Sequence, residues 1–264
     1  MKPGGTALVT GGSSGLGLAL AHELARQGFT PAVLARGSQR VQTAVAALRS
    51  HAPDAFGLAC DVTDAEGLAR AAAEVAARRG GLEFLVLNAG TVHVNRLEDF
   101  DCMDALKEDI ETDLWGTVLA ARFFVPLLRP GGRILCISST LGLVGAAGYP
   151  AYCAAKAGVI NFAAGLRREL LHRRITVQVA CPSDIDTPQY RQEIASMPEW
   201  MGVAQARGRP SPPQTAATRI LKRCRGGRFL ILIDLETRLL VLARRLLPWR
   251  WSEALLDRLL PRPR

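Results

Sequence analysis

Tyr152 and Lys156 stand four residues apart in a helix-period stretch, so they share one face and reach into the same space. Ser139 lies thirteen residues before Tyr152, just after an apolar run that reads as a strand. These three residue types suit proton transfer at a carbonyl or alcohol oxygen. A tyrosine with a pKa of about 10 exchanges protons poorly near neutrality. A neighbouring ammonium stabilises the tyrosinate, and Lys156 is expected to lower the Tyr152 pKa by roughly two to three units, at about 1.4 kcal/mol each. Lys156 can also hold ribose hydroxyls. Ser139 is expected to donate a hydrogen bond to the substrate oxygen and stabilise the charge that grows there. A Tyr-x-x-x-Lys pair alone is common and would leave Tyr152 as a packing aromatic. The strand-end serine and a glycine turn near the start of the chain shift that balance.

The turn runs Thr10-Gly11-Gly12-Ser13-Ser14-Gly15-Leu16-Gly17, between an apolar strand and an apolar-periodic helix over 18–27. Its glycines permit a tight bend and a close approach of backbone N–H groups to a pyrophosphate at the positive end of the helix. In this strand-turn-helix context the pattern points to a dinucleotide held by Gly11, Ser13, Ser14, Gly15, Leu16 and Gly17. Nucleotide preference is read at the end of the second strand, where an acid would hold a ribose 2′-hydroxyl. The sequence there is Leu34-Ala35-Arg36-Gly37. No carboxylate repels a 2′-phosphate and Arg36 can pair with one, so NADP(H) is expected. Asp61 and Val62 are expected to flank the adenine, and Asn88-Ala89-Gly90 to let the backbone pass close to the cofactor.

Such a site needs a sheet whose strand ends meet at a crevice. Apolar runs at 6–10, 32–35, 56–60, 84–87, 133–138, 176–181 and 229–233 alternate with helical patterns. That alternation predicts an α/β fold: one Rossmann-type, doubly wound parallel sheet of about seven strands with helices on both faces. The catalytic domain is expected over 1–233 and an amphipathic helical tail over 234–264. Residues 184–213, rich in Pro, Gln and Met, read as a mobile substrate lid beyond the sixth strand, or as a surface insertion. Residues 92–96, 140–149 and 184–213 are expected to line a largely apolar substrate pocket.

Across about residues 5–233 the sequence resembles the short-chain dehydrogenase/reductase family. The match is carried in order by the glycine turn, Asn88-Ala89-Gly90, Ser139 and Tyr152-x-x-x-Lys156. The resemblance implies that Thr187, five residues after Pro182, contacts the nicotinamide amide, and that Ile185 helps set the face of the ring. It also implies a homodimer or homotetramer built on the fourth and fifth helices. Two positions depart from the family pattern. Asp113 stands where the family places an asparagine that completes a proton relay, so it either pairs with Lys156 or an ordered water, or marks a weakened relay. Ser183 follows Pro182 where most relatives carry Gly. That variant, with Leu34-Ala35-Arg36 and the apolar tail, resembles the 3-ketodihydrosphingosine reductases more narrowly.

The tail over 235–260 is dominated by leucine and punctuated by Arg238, Arg244, Arg245, Arg250 and Arg258, with Trp249 and Trp251 near its middle. Leu235, Leu239, Leu242 and Leu246 fit one helical face, and Leu255, Leu256, Leu259 and Leu260 another. The uncharged run 239–243 is far short of the roughly 20 residues that span a bilayer. The tail therefore suits either peripheral membrane contact in the headgroup region or a subunit interface, with the arginines favouring the first.

Lys and Arg outnumber Asp and Glu by 33 to 24, a formal charge of +9 that points to an anionic partner. Arg167-Arg168 and His172-Arg173-Arg174 lack interleaved aromatics and read as solvated helix ends, so nucleic acid is not expected. His93 reads as a loop histidine that could touch substrate. The six cysteines, Cys60, Cys102, Cys136, Cys153, Cys181 and Cys224, show no zinc-ligand spacing and read as buried thiols. No metal is expected. With no apolar leader ahead of the first strand, the expected location is cytoplasmic, with the tail peripheral on the cytoplasmic face of a membrane if it docks there. Two functions follow: an NADPH-dependent reductase of a lipophilic ketone (3-ketosphingoid, 3-oxoacyl, steroid or retinoid), or a catalytically weak NADP-binding docking module.

Overall fold

Strand formation follows the apolar runs. The computed structural model describes residues 4–100, 103–201 and 209–259; Cys102, Leu260 and positions 202–208 of the expected lid lie outside them, as do the side chains of Trp249 and Leu259. The strands are β1 Thr6–Thr10, β2 Thr30–Ala35, β3 Phe56–Ala59, β4 Leu82–Leu87, β5 Leu128–Ile137, β6 Thr176–Ala180 and β7 Leu230–Ile231. They pair in parallel in the order β3-β2-β1-β4-β5-β6-β7. Strand order reverses between β1 and β4, and the carboxyl ends part there to leave a crevice.

Ten α-helices lie among the described residues: α1 Gly15–Arg26, α2 Ser38–Leu48, α3 Ala65–Arg79, α4 Met103–Asp109, α5 Gly116–Phe124, α6 Pro150–Glu169, α7 Pro188–Ala195, α8 Pro213–Cys224, α9 Leu235–Leu246 and α10 Trp249–Leu259. Alternation along the strands divides the core. Ala7 and Val9 face α1, α2 and α8, whereas Leu8, Leu85 and Leu87 face α3, α5 and α6. Leu20 and Leu24 of α1 are fully buried, each contributing about 1.5–3 kcal/mol through removal from water. Caps set the ends of α3: the Asp64 carboxylate accepts the Gly67 N–H, and Gly80 closes the helix at φ 68°.

The expected lid and the expected helical tail remain. The described part of 184–213 is largely built structure, with α7, a 3₁₀ turn at Glu199–Met201 and a bridge between Ile185 and Ser211. Thr187 starts α7 by accepting the Tyr190 N–H, and Pro188 suits the first helical turn. The tail is two helices: Pro248 lies between α9 and α10, where it cannot continue the hydrogen-bond ladder. No described helix is long and apolar enough to cross a membrane.

Candidate active site

Lys156 lies on the inner face of α6, fixed at both ends. The Ser138 hydroxyl, at the end of β5, donates to the Lys156 carbonyl at 2.8 Å. The ammonium lies 2.8 Å from the Asp113 carboxylate and 5.4 Å from the centroid of the Tyr152 ring. Asp113 sits in a π-helical turn, Ile110–Trp115, joining α4 to α5, where the Gly116 N–H donates to the Glu111 carbonyl five residues back. Fully buried, Asp113 also accepts the Thr91 N–H at 2.6 Å. Ser139 accepts the Leu141 N–H at 3.1 Å, which leaves its own O–H to donate toward the Tyr152 oxygen.

The electrostatics reverse the expected tyrosine shift. Burial raises the Tyr152 phenol to about 12; Lys156 and Ser139 pull it down, but Asp113 pushes it up. Burial is the largest cause, and the ion pair adds to it, because a carboxylate at 2.8 Å offsets part of the field that Lys156 exerts on Tyr152. Burial acts to lower the Lys156 pKa, yet Asp113 outweighs it and holds the ammonium charged above the usual lysine range. For Asp113 itself, burial raises the carboxyl against the pull of Lys156 and the Thr91 N–H.

The cofactor side is a cleft of about 580 Å³ at the β1/β4 switch point. Gly11, Ser13, Ser14, Gly15, Leu16 and Gly17 line it with Arg36, Asp61, Val62, Asn88, Ala89, Gly90, Pro182, Ile185 and Thr187, and Ser139, Tyr152 and Lys156 close its far end. Ser14 caps α1 without a side-chain bond, so the first N–H groups of that helix are free for an anion. A Cβ on Gly17 would lie 2.3 Å from the Gly11 carbonyl oxygen, so only glycine lets the helix start this close to the turn. Thr10 Oγ1 accepts both the Asn88 and Ala89 N–H groups at 2.9 and 3.0 Å, which locks β1 to β4 beneath the cleft. These features fit a dinucleotide, with the α1 N-terminus opposite a pyrophosphate. Arg36 is exposed, 4.0 Å from Asp61 and 3.5 Å from Glu108.

Several further residues at the cleft carry no recognisable motif in the sequence. Arg40, in the first turn of α2, lines the cleft four residues beyond Arg36. Tyr149 donates to Glu193 at 2.6 Å, tying the start of α6 to α7. Burial raises Glu193 to about 6, with the Tyr149 bond opposing and Asp184 adding. On the substrate side, Leu141, Ala146, Ile185, Ile194, Met197 and Met201 supply an apolar wall. Residues 92–96 do not line the cleft; Val92 and Val94 instead pack behind it with Tyr149, Trp200 and Met201. His93 likewise faces away, bonded at 2.9 Å to the buried Asp109.

The model of the short chain dehydrogenase family matches residues 5–198. The chain belongs to the short-chain dehydrogenase family. It is therefore an oxidoreductase of a family that uses NAD or NADP. Among its relatives, a 3-ketodihydrosphingosine reductase of Dictyostelium discoideum is 29% identical over 93% of this chain and 79% of its own length. A 3-oxoacyl-(acyl-carrier-protein) reductase of Staphylococcus aureus is 35% identical over 70% and 76% respectively. The solved L-sorbose reductase of Gluconobacter frateurii, complexed with NADPH and L-sorbose, superposes with a TM-score of 0.74 at 25% identity, covering 87% of this chain and 94% of that one. Within this short-chain dehydrogenase, the buried acid at 113 takes Lys156 as its partner.

Proposed function

We propose that this short-chain dehydrogenase is an NADPH-dependent reductase of a lipophilic amino ketone, of which 3-ketodihydrosphingosine is the leading example. The observation that carries the reading is the convergence of Ser139, Tyr152 and Lys156 on a cleft whose other end presents Arg36 and Arg40. Those two guanidiniums suit a 2′-phosphate. NADPH, when bound, supplies the hydride. Tyr152, protonated throughout the neutral range, donates its phenolic proton to the carbonyl oxygen as that oxygen becomes an alkoxide. Ser139 donates a hydrogen bond to the same oxygen. Lys156 steadies the resulting tyrosinate and would hold the ribose hydroxyls of the bound cofactor, with Asp113 fixing its position and charge. Pro182, Ile185 and Thr187 line the cleft and would flank the nicotinamide.

The substrate reading rests on two features. Apolar side chains make one wall of the pocket, and the carboxylates of Glu193 and Asp184 line it beside them. A long-chain ketone with a neighbouring ammonium satisfies both; an anionic acyl-carrier thioester would meet repulsion from the carboxylates. The likeness to the Dictyostelium reductase supports the same choice.

The test follows NADPH and NADH consumption with 3-ketodihydrosphingosine in mixed micelles, a 3-oxoacyl thioester and a short water-soluble ketone. Preference for NADPH and the sphingoid ketone, abolished in Tyr152→Phe, is expected. Turnover of the thioester or the short ketone alone would overturn the substrate class. Absence of turnover with all three, while NADPH still binds, would leave the NADP-binding docking module favoured by the Lys156–Asp113 pair.

A further inference from the structure

α9 turns its leucines away from the protein. Thr237 on its inner side bonds to Thr140 at 2.8 Å, and Arg244 donates to the Leu143 carbonyl. On its outer side Leu235, Leu239, Leu242 and Leu246 form one stripe by their spacing and are 50–70% exposed. An amphipathic helix on a globular protein normally buries such a stripe. The exposed Arg238 and Arg245 run along one edge of it.

A second cleft, of about 840 Å³, opens where the stripe begins. Leu235 lines it together with Arg209, Arg219, Lys222, Arg223 and Arg238. Against these five cations stand Asp184, Asp234 and Glu236, and Asp234 already accepts the Ser183 N–H at 3.0 Å. The crowding is felt at Arg223, whose pKa is lowered by burial and then by the charge of Arg238, Arg219 and Arg228, against the pull of Asp234.

We propose that the leucine stripe of α9 and this basic cleft form one docking surface for the anionic face of a lipid membrane. Charge complementarity selects this occupant. Leucines entering the acyl boundary beside arginines at headgroup level match the arrangement of an interfacial helix. A second copy of the chain docked by two-fold symmetry would bring the cation cluster against itself. Because the inner side of α9 is tied to Thr140 and Leu143, docking places the active cleft at the bilayer surface, where a lipophilic ketone resides. The docking surface stands whichever ketone is reduced.

The full chain is sedimented with vesicles of phosphatidylcholine alone and of phosphatidylcholine with phosphatidylserine. It is expected to pellet with the anionic vesicles only, and to be released by salt. Leu239→Asp with Leu242→Asp is expected to abolish pelleting while turnover of a water-soluble ketone is retained. Arg219→Gln with Lys222→Gln is expected to weaken partition about 25-fold, two cations at about fivefold each. No pelleting, or equal pelleting with neutral vesicles, overturns the proposal. So does a dimer in light scattering that the leucine variants split while vesicles stay unbound. Loss of turnover in the unaltered chain would instead count against the reductase reading, so the two failures are distinguishable.

Discussion

Asp113 and Tyr152 make opposing demands on one ammonium. Lys156 lies 2.8 Å from the Asp113 carboxylate, and the phenol is left raised to about 12 by burial, with Asp113 adding to the rise. Reduction needs Tyr152 protonated, so its rate falls only as pH passes upward through the phenol pKa; oxidation needs tyrosinate and rises over the same range. Asp113→Asn removes the negative charge, so both limbs are expected to move to lower pH, with oxidation at pH 8 gaining about tenfold per unit moved. Full pH profiles in both directions check this, and an unmoved profile would deny Asp113 any electrostatic role. Glu193 carries a second pH signature. With its carboxyl raised to about 6 by burial, it is ionised at neutrality and protonated below that value. KM for a cationic amino ketone is therefore expected to rise as pH falls through about 6, while KM for a neutral ketone stays level. Arg36→Ala is expected to raise KM for NADPH about 10- to 100-fold, the worth of a charge-assisted bond, and to leave NADH nearly unaffected. The types at 139, 152 and 156 were legible because chemistry dictates them. The sign of the Tyr152 shift was not, because it depends on burial and on a carboxylate 39 positions away in sequence.

Elements set how near these groups come. The extra residue in the π-helical turn Ile110–Trp115 accompanies a buried Asp113 that meets both Lys156 on α6 and the N–H of Thr91. Sequence periodicity located all seven strands, missing only the first five residues of β5 by more than two positions, because strands buried on both faces appear as continuous apolar runs. It could not show the π turn, whose signature is one backbone bond from Gly116 to Glu111. Nor did it find α7, whose Gln189, Arg191, Gln192, Glu193 and Ala195 favour a helix behind the Thr187 cap and Pro188 but show no apolar periodicity. The start of α1 offers a direct test. A Cβ at position 17 would fall 2.3 Å from the Gly11 carbonyl oxygen and 2.5 Å from the Asn88 amide nitrogen, neither of which can yield without opening the turn. Gly17→Ala is expected to abolish NADPH binding and to cost about 1–3 kcal/mol, a fall in Tm of about 3–10 °C. Calorimetry together with cofactor titration separates the two effects, and full NADPH affinity in the variant would place the pyrophosphate elsewhere.

For the molecule as a whole, the cofactor cleft draws its lining from the carboxyl ends of β1, β2, β4, β5 and β6, with hydrophobic clusters packed on both faces of the same sheet. A ligand seated there touches both halves of the fold and binds only the folded state. Linkage then fixes the response: at a hundredfold excess over Kd it adds about 2.7 kcal/mol, which for a chain of this size raises Tm by about 5–10 °C. NADPH is expected to give that rise and NADH a smaller one at equal concentration, because only NADPH carries a 2′-phosphate to Arg36. The tail is expected to melt with the rest. Thr237 bonds Thr140, Asp234 accepts the Ser183 N–H and Arg244 reaches Leu143, so α9 is joined to the segments that close the cleft. A single calorimetric transition that moves upward with NADPH is the outcome these contacts require. Two transitions, only one of them responsive to NADPH, would mean that α9 and α10 unfold apart from the sheet and that tail and cleft are not coupled.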